Sequence, residues 1–108
     1  MKKFFSAVAL LAALILVGAV SRAQDTASGE KTYKAKCASC HGPDGKGETA
    51  AGKVTKVRDF SLEEVKKESD PVWTEVIVKG RNKMPGYDKK LSDAEVKDVV
   101  AYIRTLVK

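Results

Sequence analysis

Histidine is almost missing from this chain, and that scarcity excludes more than any abundance does. The 108 residues include one histidine, His41, two cysteines, Cys37 and Cys40, and one tryptophan, Trp73. A site needing two histidines of one chain is excluded. A zinc site takes four ligands, so a carboxylate would have to join the two cysteines and the histidine. Alternating apolar and polar runs of useful length are absent, which argues against a sheet-based fold. No βαβ context surrounds the cysteines, so a thioredoxin-like dithiol lacks its setting. There is no internal repeat. The glycine-rich stretch after His41 lacks the phosphate-loop pattern. No aromatic–basic stripe offers a platform for single-stranded nucleic acid.

What is present begins with an export signal. Lys2 and Lys3 supply a positive start, and Phe4 to Val20 is almost wholly apolar. Ser21-Arg22-Ala23 places small residues where a signal peptidase needs them, so cleavage before Gln24 is expected. Residues 1–23 therefore read as a signal peptide. An uncleaved anchor is the alternative, although the run falls short of the roughly 20 residues of a comfortable span. No cysteine stands just after that run, so a lipid anchor is unsupported. Lys2, Lys3 and Arg22 lie in this leader. The 20 basic residues less those three, against 14 acidic ones, leave a net charge of +3. Such a mild, mixed charge does not mark a nucleic-acid binder. Residues 24–108 make one small domain with a marginal core.

Cys37-Ala38-Ser39-Cys40-His41 forms C-x-x-C-H, the c-type haem attachment signature. Two thiols about one helical turn apart can each form a thioether to a vinyl group of one porphyrin. His41 then stands next in line to ligate iron. Buried haem would also supply apolar area that so small a chain lacks. A zinc site or a disulfide remains the haem-free alternative.

The residues outside the leader read as all-α with long loops. A first helix is expected from Ala27 to Cys40, with Gly29, Tyr33, Cys37 and Cys40 on one stripe. Glycine costs about 1 kcal/mol there relative to alanine, a cost justified by close approach of another helix. His41 to Arg58 reads as a glycine-punctuated loop. Ser61 to Glu68 reads as a short helix with Ser61 and Glu64 as a capping box. Asp70-Pro71 opens another, carrying Trp73, Val76 and Ile77 inward and stopping near Gly80. Arg81 to Tyr87 is a loop stiffened by Pro85 and Gly86. The last helix starts with Ser92 as N-cap, Glu95 closing the box and Leu91 stapled to Val96. Val96, Val99, Val100, Ile103, Leu106 and Val107 mark its buried face.

Outside the leader, Met84 is the single methionine and sits in the stiffened loop, not on an apolar helical face. That setting assigns it to the second axial position, a pairing with histidine known to raise potential. Lys79, Lys83 or open coordination would be the alternatives. Filled axial positions leave no open iron site, which favours outer-sphere electron transfer over catalysis. His41 should donate its other ring N–H to an acceptor that the sequence does not identify.

The chain resembles the class I c-type cytochromes, of the short bacterial single-haem kind. The resemblance rests on Gly29-x-x-x-Tyr33-x-x-x-Cys37-x-x-Cys40-His41, on Gly80 and Met84-Pro85-Gly86-Tyr87, and on Ala101-Tyr102-Ile103-Arg104. It implies an all-α fold of three to five helices around one covalent haem c over residues 24–108. It implies that the first and last helices cross with Gly29 near Tyr102. Cys37, Cys40, His41 and Met84 then bind the cofactor, His41 and Met84 on the iron. The implied function is a soluble, exported or periplasmic one-electron carrier, not an enzyme, monomeric, with redox proteins as donor and acceptor. No nucleic acid is expected, and a membrane only if the leader stays uncleaved. A haem enzyme or gas-reactive protein with a labile methionine, or a membrane-anchored electron-transfer module, is the alternative. Lys46, Lys79, Lys83, Lys89 and Lys90 are candidates for a docking face, against a merely solvated surface. Trp73 and Arg58 are candidates for propionate contacts, with Trp73 as plain core the competing reading.

Overall fold

A computed structural model describes residues 24–108, so the expected leader lies outside the described residues. Six helical segments follow one another: α1 (Thr26–Lys36), α2 (Ala38–His41), α3 (Ala50–Thr55), α4 (Glu63–Lys66), α5 (Asp70–Lys79) and α6 (Asp93–Leu106). Among the described residues the only bridge outside helices pairs Arg81 with Met84. The all-α expectation holds. The segments outnumber the expected three to five for two local reasons. The first helix breaks at Cys37, and the glycine loop contains the extra helix α3.

Side-chain caps decide where most of these helices begin. The Asp25 carboxylate accepts from the Ala27 and Ser28 N–H groups at 3.0 and 3.1 Å and starts α1. Ser92 and Glu95 form the expected reciprocal box at α6, with bonds of 2.8 and 3.1 Å. The box expected at Ser61 does not form. Asp59 takes both the Ser61 N–H and its hydroxyl, so α4 starts later, after Leu62. α5 is capped by Ser69 instead of Asp70. Asp70 moves into the first turn, where it accepts from the Arg104 guanidinium at 2.9 Å.

α1 and α6 cross, and this crossing frames the molecule. A side chain on Gly29 would collide with the Asp98 carbonyl and lie 3.0 Å from the Tyr102 Cβ. The glycine that helix propensity disfavours is therefore required by close approach. Tyr33 and Tyr102 pack at the crossing with ring centroids 5.4 Å apart. α6 buries Val96, Val99, Val100 and Ile103 on the expected face. α5 adds Trp73 and Ile77 from the other side. Arg104 joins the two: its guanidinium stacks 3.6 Å from the Trp73 ring centroid and donates to the Lys66 and Glu68 carbonyls. α2 packs on α3, which puts the cysteine–histidine segment on one side of this frame.

Candidate functional site

The cysteine–histidine segment is a single helical turn set off from α1. Cys37 departs from helical geometry at φ −119° and ψ −37°. Its carbonyl accepts from the Cys40 and His41 N–H groups at 3.2 and 2.9 Å. Cys37 and Cys40 are both free thiols, half-buried and one turn apart. Burial pushes the Cys37 thiol up to about 11, against a lowering pull from Lys36, so it is held as the neutral thiol.

Three successive carbonyls of this turn are each held by a different residue. The Cys40 carbonyl accepts from the Thr49 hydroxyl at 2.7 Å, and Thr49 also caps α3 through the Gly52 N–H. The His41 carbonyl accepts from the Gly47 N–H at 2.7 Å. The Gly42 carbonyl accepts from the buried Tyr33 hydroxyl at 2.6 Å. Burial raises the Tyr33 phenol well above its ordinary range, so it stays protonated as the donor.

His41 is buried, with its ring stacked on Phe60 at 4.5 Å and 18°. Phe60 in turn tilts against Trp73 at 5.5 Å. Burial lowers the His41 pKa below its usual value, opposed by the Arg58 backbone. The imidazole is thus neutral near pH 7, with a lone pair free to donate. Its Nδ1 is buried without a hydrogen-bond partner. The neighbouring Arg58 backbone is the protein group that favours a proton on this ring.

Met84 reaches the same region on a four-residue turn. Arg81 and Met84 exchange backbone bonds of 3.0 and 2.9 Å. Gly80 makes the turn possible at φ +83°, because a Cβ there would lie 2.7 Å from the Met84 carbonyl and the Gly86 nitrogen. The Tyr87 and Asp88 N–H groups donate back to the Ile77 and Val78 carbonyls of α5, at 2.9 and 3.2 Å.

These pieces enclose two adjoining cavities. The larger, about 820 Å³ including space open to solvent, is lined by Cys37, His41, Phe60, Trp73, Ile77, Met84, Val99 and Ile103 among others. The smaller, about 410 Å³, is lined by Cys37, Cys40, His41 and Met84 together with Tyr87 and Lys83. All four residues expected at the site therefore converge. Among the described residues no cluster of three or more His, Cys, Asp or Glu side chains is poised for a metal ion, so the carboxylate a zinc site needs is not in place. A largely apolar slot with two thiols, a neutral imidazole and a thioether at its edges fits a flat macrocycle carrying a metal.

The remaining candidates divide. The Trp73 indole donates to the Val65 carbonyl at 3.1 Å, so the core reading of Trp73 prevails. Arg58 lines the larger cavity but spends its guanidinium on Glu68. Of the five candidate docking lysines, Lys83 lines both cavities. Lys79 pairs with Glu75, and Lys90 stands 5.6 Å from the Tyr87 ring centroid. Lys36 and Lys56, not anticipated from sequence, line the cavities instead. Phe60 and Thr49 were also unanticipated. Phe60 is the one aromatic residue between His41 and Trp73, and Thr49 precedes Ala50-Ala51-Gly52 as an N-cap would.

Comparison with known proteins agrees with this geometry. Residues 24–103 match the family model described as cytochrome c oxidase, cbb3-type, subunit III. The chain is 36% identical over 105 residues to cytochrome c6 of Nostoc sp. strain PCC 7120, covering 95% of this chain and 92% of that one. It is 34% identical over 102 residues to cytochrome c-555 of Methylococcus capsulatus, covering 87% and 77%. Among solved structures, the KustC0563 c-type cytochrome superposes with a TM-score of 0.68 at 35% identity, covering 74% of this chain and 98% of that one. Cytochrome c6 of the diatom Phaeodactylum tricornutum superposes at 0.58 with 26% identity, covering 75% and 92%. With the attachment turn, the methionine loop and the crossed helices all in place, the chain belongs to the small class I c-type cytochromes, which carry one covalently bound haem c.

Proposed function

We propose that this protein is an exported one-electron carrier. Cys37 and Cys40 would hold the haem through thioethers, and His41 and Met84 would ligate its iron. What carries the reading is the convergence of His41 and Met84, from separate segments, on the same pair of cavities. Haem bound there supplies a one-electron ferric–ferrous couple.

The protein's own residues do the rest. Thr49, Gly47 and Tyr33 hold three carbonyls of the attachment turn, so the imidazole is not free to swing. Phe60 fixes the plane of the His41 ring. The Arg58 backbone is the group beside the imidazole that favours its proton, and we assign it as acceptor for the ring N–H. The reciprocal Arg81–Met84 bonds keep the Met84 sulfur at the cavity. Val57, Phe60, Ile77 and Val99 exclude water from the slot, which favours the less charged state. Lys36 and Lys83 border the smaller cavity beside Tyr87 and give a redox partner with acidic side chains a place to dock. The leader, residues 1–23, directs the chain to the outside of the cytoplasm, and covalent haem attachment belongs on that outer side.

A redox-titrated visible spectrum of the exported protein tests this reading. The expected result is a low-spin haem, a single one-electron transition and a methionine–iron charge-transfer band in the ferric form. A high-spin ferrous form that binds carbon monoxide rapidly would point to a gas-reactive or enzymatic haem instead. A chain exported without haem would end the assignment.

A further inference from the structure

The wall of the larger cavity carries four full cations, Lys56, Arg58, Arg81 and Lys83, and a single carboxylate, Glu68. That carboxylate is not incidental. The Arg58 guanidinium grips it with two bonds, 2.9 Å to Oε1 and 3.1 Å to Oε2, the two-pronged geometry that arginine and carboxylate favour. Both side chains are partly sheltered, at 36% and 25% exposure. The Glu68 backbone is held independently, because its carbonyl accepts from Arg104 at 2.5 Å. Arg104 is itself fixed by Asp70, the Lys66 carbonyl and the Trp73 ring. Glu68 is therefore positioned from two sides, within the lining of a cavity assigned to a redox centre.

We infer that Glu68 is a potential-setting residue: clamped by Arg58 in the cavity wall, its carboxylate masks the Arg58 charge and holds the haem potential down. The inference rests on the haem reading above. Oxidation adds one unit of positive charge to the haem. A nearby carboxylate stabilises that charge and a nearby guanidinium opposes it. A unit charge acting through an effective dielectric of ~20 changes an equilibrium about tenfold at a separation of ~12 Å. Removing either member of the pair leaves the other uncompensated, so the two removals act with opposite sign. A role confined to joining the two loop segments has no such sign. The charges facing Glu68 are Arg58, Arg81 and Arg104, all cationic, and they keep it ionised near neutral pH.

The test is a spectroelectrochemical titration of the holoprotein at pH 7 and low salt, for wild type, Glu68→Gln, Arg58→Gln and the double variant. Glu68→Gln should raise the ratio of reduced to oxidised protein at a fixed poise by about tenfold, equivalent to about 59 mV for one electron. Arg58→Gln should lower it by a similar factor, and the double variant should return close to wild type. If one single variant fails to accumulate, the sign of the other decides. The inference is overturned if both single variants shift the same way, or if neither shifts, while the methionine–iron band is intact. Loss of that band already in the wild type would instead overturn the ligation reading. The two failures are thus read from different signals.

Discussion

Replacing Gly29 with alanine sets two physical effects against each other. In an isolated helix the change is favourable by about 1 kcal/mol, because alanine gives up less backbone freedom. At the crossing of α1 and α6 the new methyl meets the Asp98 carbonyl and comes within 3.0 Å of the Tyr102 Cβ. The first obstacle is backbone, which cannot rotate aside as a side chain can. The helices must separate, loosening the contact of Tyr33 with Tyr102 and the bond from the Asp25 N–H to the buried Asp98 carboxylate at 2.9 Å. Overpacking of this kind costs about 1–3 kcal/mol, and a backbone obstacle puts this site at the upper end. After the propensity gain, a net loss of about 2 kcal/mol is expected. For a domain of this size that lowers the melting temperature by about 8–16 °C. The assay is thermal unfolding of the holoprotein followed by circular dichroism at 222 nm, with Lys31→Ala on the exposed face of α1 as control. An unchanged or raised melting temperature for Gly29→Ala would refute the close-approach argument.

Met84→Ala should abolish the methionine–iron band and lower the midpoint potential, because a sulfur ligand to the iron is lost; an unchanged spectrum and potential would assign the ligand elsewhere. Tyr33→Phe removes the shorter of the two bonds to the Gly42 carbonyl, which keeps only the Gly45 N–H at 3.2 Å, at a cost of about 0.5–1.5 kcal/mol measured by denaturant unfolding. Thr49→Val strips both the α3 cap and the tie to the Cys40 carbonyl, with an expected loss of about 0.5–2 kcal/mol from the cap alone. The bond from Arg58 depresses the Glu68 carboxyl below its ordinary 4.5. The stability this contributes is therefore present above 4.5 and lost as pH falls through the lowered folded value. Unfolding titrations below pH 4.5 should show wild type losing more stability than Glu68→Gln, and parallel acid limbs would count against it.

Much of the fold was legible because its signals are local. The box at Ser92 and Glu95, the start of α5 near Pro71 and its stop at Gly80 each depend on residues a turn or less apart. The same locality misled at Ser61, where the Asp59 carboxylate takes the hydroxyl that would otherwise have capped the Glu64 N–H. It hid α3, whose sequence Ala50–Thr55 follows a run of glycines and whose cap does double duty in another segment. It also placed the end of the first helix too late, since the break at Cys37 depends on what the attachment turn meets, not on the propensity of Cys37 itself.

The site divides along the same line. Cys37, Cys40 and His41 are neighbours in sequence, so their spacing alone specifies a chemistry that few other arrangements can use. The scarcity of histidine and methionine then made Met84 the expected second ligand, with Lys79, Lys83 or open coordination as the alternatives. What sequence could not supply was everything that depends on pairs far apart in the chain. The obstruction of Gly29 by α6, the stacking of Phe60 on His41, the use of the Trp73 N–H by Val65 and the clamping of Glu68 by Arg58 exist only once the chain has closed on itself. Propensities and motifs act over a turn of helix, whereas burial, orientation and charge pairing are set by whichever distant residues the packing brings within a few ångströms.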